Sequence, residues 1–426
     1  MRLLIIPRHF AVCTARRVGI VQSRLSLHTR SSSEDVERRS EWREEPRKRK
    51  DKVALLVGFN GTGYQGMQMN PGVKSIEEDL FAALCKAGAV SRANSESPKK
   101  VQLIRAARTD KGVHAACNVV SLKMITEDPN IVERINAHLP AQIRVWGYIP
   151  VMRSFHARKL CSSRVYEYLL PSSVFISPST RHVTTTPQSE DDYRMKYEGQ
   201  IYYAPRTDAA QLQAMDKFRI NAQTLAAFRQ TLQCFEGTHN FHNYTLASDP
   251  YDASMNRFVK SINVSDPIYV DGIEWISVKL WGQSFMLHQI RKMLSMAILV
   301  VRSNTPRSII SQTFEPVKIN IPKAPSLGLL LHHPVFDFYN QRRLKHRTDL
   351  PPFDLHEFQE PIEKFKRDWI YSKIFETERR EREFDRYLVR VDALSKASFG
   401  YLNPQGIIPP EAIVNTIYTA QPHSED

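Results

Sequence analysis

The sequence predicts an α+β protein: antiparallel strands with helices packed on one face. Three observations predict it. Short apolar strand-like runs alternate with amphipathic helical runs, and two successive blocks share the rough order strand, helix, strands. Asp271-Gly272 sits near the turn of a paired apolar stretch, 257–282, the signature of a β-hairpin. The glycine-rich run GTGYQGMQ (61–68) is not followed by GKS or GKT, so it is a bend and not a phosphate loop.

Each element has a local reason. VALLVGF (53–59) is a short apolar run suited to a buried strand. Ser75 with Glu78 forms a capping box before Ile76, Leu80, Leu84 and Ala87 at helical spacing, and Gly88 is the stop. VQLIR (101–105) and CNVVSLK (117–123) read as strands around a polar turn, 131–139 as a helix and 143–149 as a strand. In the second block RVYEYLL (164–170) alternates like a strand, 172–206 reads as an insertion loop, and 223–235 is helical. Residues 284–303 read as one long helix with Leu287, Ile290, Leu294, Ala297 and Val301 on its apolar stripe. From about Asn340 the chain becomes strongly charged, and ETERREREFDRYL (376–388) reads as a solvated helix.

Composition narrows the function. The 426 residues are 42% hydrophobic, enough for a large core in two or three subdomains. A net charge of +14 points to an anionic partner, with nucleic acid the commonest large one. Half of that excess lies in residues 1–52. Five scattered cysteines with no CxxC pair argue against a disulfide framework or a recognisable zinc site. No run of about 18 apolar residues indicates a membrane span. The first 33 residues hold six arginines and no acid, the composition of a mitochondrial presequence. The competing address is nuclear, from PRKRKDK at 46–52.

Four stretches carry candidate chemistry. In LIRAARTDKGVHAACNVVSLK (103–123) one carboxylate, Asp110, stands among Arg105, Arg108, Lys111 and His114. Asp-Lys-Gly is a common turn, so the plain reading is structural. A nearby cation also favours an ionised carboxylate that can act as nucleophile or base. No second acid lies close, which argues against a glycosidase pair. Arg164 precedes Tyr166 and Tyr168, two rings on one strand face: core packing, or a ring for stacking on a base. FEGTHNFHNYT (235–245) brings His239 and His242 into a polar loop without an evident third metal ligand. GQSFMLHQIRKM (282–293) places His288, Arg291 and Lys292 on the 284–303 helix, and an inward Arg291 would need an acid such as Asp110.

AARTDKGVHA, RVYEYLLP, FEGTHNFHNYT, GQSFMLHQIRKM and PKAPSLGLLL, in this order, resemble the TruA-type tRNA pseudouridine synthase family. The likeness runs from about Lys52 to about Tyr387 and is strongest with fungal members, among them a mitochondrial paralogue. It implies a mixed, largely antiparallel sheet with helices, two related subdomains around a basic cleft, and a helical C-terminal extension. It implies that Asp110 is the catalytic carboxylate, that Arg108 handles the flipped base, that Tyr166 stacks on uracil and that Arg291 pairs with Asp110. Lys111, His114, Arg164, His239, His242, His288 and Lys292 are then candidate RNA contacts. One departure is CSSR (161–164), where many relatives carry Asp-Ala before the arginine; the contacts of that loop stay open.

The expected organisation is a targeting or disordered basic segment at 1–51, a catalytic subdomain with Asp110 at 52–155, a second with Tyr166 and Arg291 at 156–340, and a charged helical extension at 341–426. The expected activity is isomerisation of uridine to pseudouridine in tRNA, with other structured RNAs left open. No cofactor and no metal are required for that chemistry, though a structural zinc stays open. A monomer with no membrane and no nucleotide cofactor is expected. The rivals are a non-catalytic RNA-binding protein or tRNA chaperone on the same scaffold, and an interaction protein built around the C-terminal helix.

Overall fold

The computed structural model describes residues 48–178, 184–197, 200–246 and 249–414. The presequence reading falls outside these residues, as does most of the basic tail. The first described half supplies β1 (Asp51–Phe59), α1 (Ile76–Lys86), β2 (Ile104–Arg105), β3 (His114–Met124), α2 (Ile131–Ala137) and β4 (Ile143–Pro150). Ser75 caps α1 as expected, its Oγ accepting the Glu78 N–H at 3.3 Å. The expected strand at 101–105 shrinks to two residues. Pro98–Val101 forms a 3-10 turn instead, and Gln102 takes a positive φ of 55° that ends it.

The second half supplies α3 (Ala157–Leu160), β5 (Ser163–Pro171), the β6–β7 hairpin (Tyr193–Tyr197, Gln200–Ala204), α4 (Ala209–Lys217), α5 (Ala222–Gln233), β8 (Gly237–Asn240), β9 (Asn256–Val264), β10 (Ile268–Val270), β11 (Ile273–Gly282), α6 (Gln289–Arg302), α7 (Ile309–Gln312) and β12 (Leu329–Val335). The stretch read as an insertion loop thus contains its own two-stranded sheet. Asp271 and Gly272 make the expected turn between β10 and β11, both with positive φ.

The main sheet runs β4-β1-β3-β12-β5-β11-β9-β8. Every pairing in it is antiparallel except β3 with β12, where His114 lies opposite Leu330. The expected mixed, largely antiparallel sheet is therefore what forms. β12 comes late in the chain and inserts between strands of the two halves, so the start of β3 and the middle of β5 lie one strand apart.

The C-terminal segment departs from expectation. It forms α8 (Asp337–His346), α9 (Gln359–Phe365), a π-helical turn (Lys366–Tyr371), α10 (Ser372–Glu381) and α11 (Glu383–Ser398). Residues 376–388 are not one solvated helix. Arg382 at φ 52° breaks the run, and Glu378, Phe384, Tyr387 and Leu388 are buried. Ile362, Phe365 and Ile370 join the same core as Ala54 and Leu56 of β1, whereas Val53, Leu55 and Val57 face α1 and α2. Helices therefore cover both faces of this half of the sheet, which is why β1 reads as an unbroken apolar run. Among the described residues no helix is long and apolar enough to cross a membrane.

Candidate active site

Asp110 sits on the loop between β2 and β3, and that loop is pinned from two sides. The Ala106 N–H donates to the Val119 carbonyl at 2.8 Å. The fully buried Asn118 donates its amide to the Ala107 carbonyl at 2.9 Å. From below, the glycine-rich bend supplies the Met67 N–H to the Thr109 carbonyl at 3.3 Å and receives the Gly112 N–H on the Tyr64 carbonyl at 3.2 Å. Gly66 has φ +111°, and a Cβ there would lie 2.6 Å from the Thr109 oxygen, so only glycine lets the two backbones meet. The Val113 N–H closes the turn on the Asp110 carbonyl at 3.1 Å. The bend read as a non-phosphate loop is a cradle for the Asp110 loop, whose carboxylate stays exposed.

The facing wall comes from the second half. Tyr166 pairs with Leu280 of β11 and Leu331 of β12, in the middle of the sheet. Its half-buried ring meets Phe285 edge-on, with centroids 5.5 Å apart. Phe285 lies in the loop before α6, and a Cβ on Gly282 would come within 2.7 Å of its ring. Two residues along β5, Tyr168 is fully buried and donates to the Pro325 carbonyl at 2.7 Å. Of the two rings proposed for one strand face, one is core and one lines the cleft.

Asp110, Tyr166 and Arg291 line one cavity of about 390 Å³, together with Arg108, Phe285 and His288. That volume suits a small ligand or a single nucleoside. The Arg291 Nε donates to the Ala324 carbonyl at 2.7 Å, and the Ala324 N–H returns a bond to the Arg291 carbonyl. Arg291 and Asp110 attract through space across the cavity; no direct ion pair joins them among the described residues. The expected pair is thus a shared field and not a salt bridge, because the arginine is anchored by backbone.

Burial lowers the pKa of Arg291, with Tyr168 and Asp110 opposing. Lys323 is lowered by burial and by the repulsion of Arg291 and Arg390, again opposed by Asp110. Burial, Lys323 and Arg291 likewise lower His288, which stays neutral at pH 7. Burial pushes the Tyr166 hydroxyl up to about 12, so the ring is uncharged. One acid thus faces several cations.

The other expected contacts divide. Arg108 is exposed and lines the cavity, and Lys111 is exposed. Arg164 ties its strand to both walls, donating to Gln283 O at 2.9 Å and Ala106 O at 3.2 Å. His288 is not on the helix: α6 begins at Gln289, and His288 at φ 67° is the left-handed residue before it. Leu287, placed on the apolar stripe by periodicity, is exposed for the same reason.

His114 and His242 are not available to RNA. His114 is 2% exposed, its Nδ1 accepts the Gly61 N–H at 3.1 Å, and burial lowers its pKa to about 4. His242 is fully buried, with its ring between Asn240 Oδ1 and the Val317 carbonyl. His239 stacks on Phe314 at 4.2 Å. Lys292 donates to the Asn243 and Thr245 carbonyls at 2.9 Å each, and burial followed by repulsion from Lys318 lowers its pKa to about 7. The histidine loop and Lys292 are scaffold: each polar group that enters the core must find a partner there.

Sequence reading missed Phe285, Asn118 and Lys323. Phe285 and Lys323 lie inside quoted motifs, but their roles depend on what faces them; Asn118 is an amide in the middle of a largely apolar strand, a signal that could have been followed. Among the described residues no group of three or more metal-ligating side chains comes together.

A family model described as tRNA pseudouridine synthase matches residues 232–337. The tRNA pseudouridine synthase 1 of Yarrowia lipolytica is 44% identical over 415 residues, covering 85% of this chain and 78% of the relative. That of Saccharomyces cerevisiae is 45% identical over 345 residues, covering 70% and 63% respectively. The human pseudouridylate synthase 1 homolog is 36% identical over 339 residues, covering 79% and 72%. With an acid, a ring and an arginine drawn from three distant segments into one cavity, the chain is an RNA-modifying isomerase in its class. It belongs to the tRNA pseudouridine synthase family, which isomerises uridine to pseudouridine in tRNA.

Proposed function

We propose that this protein converts uridine to pseudouridine in tRNA with Asp110 as its catalytic carboxylate. The observation that carries the reading is the convergence of Asp110, Tyr166 and Arg291 on one nucleoside-sized cavity. The reaction breaks the N1–C1′ bond, turns the base, and joins C5 to C1′. The C5 hydrogen is lost to solvent and N1 gains a proton. Nothing is oxidised and no group leaves the RNA, so the chemistry needs no cofactor.

The target base must leave its stack, which costs on the order of a few kcal/mol. Stacking on the neutral Tyr166 ring returns about 1–3 kcal/mol. Arg108, exposed beside Asp110, occupies the displaced base's place or escorts it. Arg291 and Lys323 lie in the field of Asp110 across the cavity, and the carboxylate oxygens, tied up in no ion pair among the described residues, act as nucleophile or base.

The deciding experiment is Asp110→Asn, assayed by tritium release from [5-³H]uridine-labelled tRNA. A fall of roughly 10²–10⁴-fold is expected. Near-normal turnover removes Asp110 from the mechanism. Salt-sensitive tRNA binding by the unsubstituted protein without isomerisation would favour a binding protein instead. We further propose that the protein acts as a monomer and that residues 1–50 direct it to the mitochondrion. Their acid-free, arginine-rich start supports that address. A reporter fused to residues 1–50 that enters the nucleus would reverse it.

A further inference from the structure

Beside the Asp110 cavity lies a second one of about 590 Å³, sharing Arg108, Tyr166 and Phe285 with the first. Its lining holds four arginines (Arg105, Arg108, Arg158 and Arg164) with His156, and no carboxylate. Arg105 is already paired with Glu77, and Arg164 with two carbonyls. Arg108 and Arg158 are exposed and form no ion pair among the described residues.

The Arg158 side of this cavity is built firmly. Arg158 stands on α3, whose first N–H, from Ala157, donates to Ser121 Oγ of β3 at 3.2 Å. His156 caps the same turn, its Nδ1 accepting the Lys159 N–H at 3.3 Å. Ala157 is fully buried between them. Two unpaired guanidinium groups, on separately anchored segments, thus face one acid-free hollow. Guanidinium groups in such an arrangement suit a phosphate, which accepts several charge-assisted hydrogen bonds at once. The edge-on Tyr166–Phe285 pair forms a partition between this hollow and the one holding Asp110. A base everted on one side of that partition leaves its backbone on the other.

We propose that the second cavity holds a phosphodiester flanking the everted uridine, clasped by Arg158 and Arg108. The assignment rests on the isomerase reading and adds a grip on one linkage beside the target. The linkage is the one on the 5′ or the 3′ side of the uridine, and the two give separate arms of the test.

After the modified position has been mapped on a tRNA, that tRNA is assembled with one neutral methylphosphonate on either side of the uridine. Tritium release gives kcat/KM for the full-length protein and for Arg158→Gln and Arg158→Lys. With unmodified tRNA, Arg158→Gln is expected to lose roughly tenfold, chiefly in KM, and Arg158→Lys less. Its salt dependence of binding should flatten by about one unit of slope. One methylphosphonate should cost the unsubstituted protein a similar factor and cost Arg158→Gln little more, since the contact is already gone.

Full additivity of the protein and RNA changes at both linkages overturns the proposal. So does an Arg158→Gln variant with unchanged KM and salt slope. If the unsubstituted protein releases no tritium from unmodified tRNA, the isomerase reading itself fails, a result distinct from either of these.

Discussion

Replacing Lys366 with methionine should unsettle the strand that carries Tyr166, although Lys366 touches no part of the cleft. Lys366 is 3% exposed and Glu167 2% exposed, and their charges stand 3.3 Å apart. Glu167 also accepts from Ser277 Oγ at 2.6 Å and from the Tyr371 hydroxyl. Burial raises the Glu167 carboxyl, but Lys366 and these hydroxyls more than offset it and hold the group below its ordinary range. Removing one partner of a buried pair costs about 3–5 kcal/mol. Here two hydroxyls still bond the carboxylate, so we expect about 3 kcal/mol, a large share of a typical 5–15 kcal/mol stability. Adding Glu167→Gln to Lys366→Met removes both buried charges and should recover most of the loss. Glu363, 2.7 Å from Lys366, is partly exposed and can rehydrate. The orphaned Glu167 carboxylate is relieved by protonation, so the single variant's deficit should shrink as pH falls. Urea unfolding of the two single variants and the double gives the coupling directly. A Lys366→Met loss below about 0.5 kcal/mol, or a double variant no better than the single, would refute the reasoning. Glu167 follows Tyr166 on the opposite face of β5, so turnover at saturating tRNA should fall with stability.

Three further outcomes follow from the same geometry. Tyr166→Phe should keep the stacking surface and most turnover, while Tyr166→Leu loses about 1–3 kcal/mol of stacking; equal losses in tritium release would assign the role to the hydroxyl. Gly66→Ala should displace the Asp110 loop, because its Cβ would sit 2.6 Å from the Thr109 oxygen; a shift of about 1 Å can cost roughly 10²-fold in turnover, and unchanged kcat would show that the loop tolerates it. Burial raises the Glu378 carboxyl to about 8 from an ordinary 4.5. The folded protein therefore holds a proton that the unfolded chain has released, and stability falls as pH rises from about 4.5 to 8. Glu378→Gln should flatten that decline by up to a few kcal/mol, and denaturation curves at pH 5 and pH 8 with the same slope in both proteins would contradict it.

Local pattern was enough for the elements whose cause is local. Ser75 and Glu78 cap α1, Asp271-Gly272 turns a hairpin, and β1 and β5 announce themselves by apolar runs and alternation. Asp110, Tyr166 and Arg291 were legible as candidates because each sits in a short distinctive stretch, and their motifs resemble a family. Periodicity carried the 284–303 helix five residues too far, because it is blind to the left-handed turn at His288. Charge density suggested a solvated C-terminal helix, yet the apolar residues between the charges close the second face of the sheet. Histidines 114 and 242 read as RNA contacts and are buried scaffold, since a residue's type does not say which way the fold turns it. By itself the sequence determined most strands of the main sheet, the α1 cap, the β10–β11 turn and the chemistry available. Only the tertiary structure decided that β12 inserts between β3 and β5, so that an acid, a ring and an arginine share one cavity. Such pairing joins residues far apart in the chain, and its energy comes from burial that no local window contains.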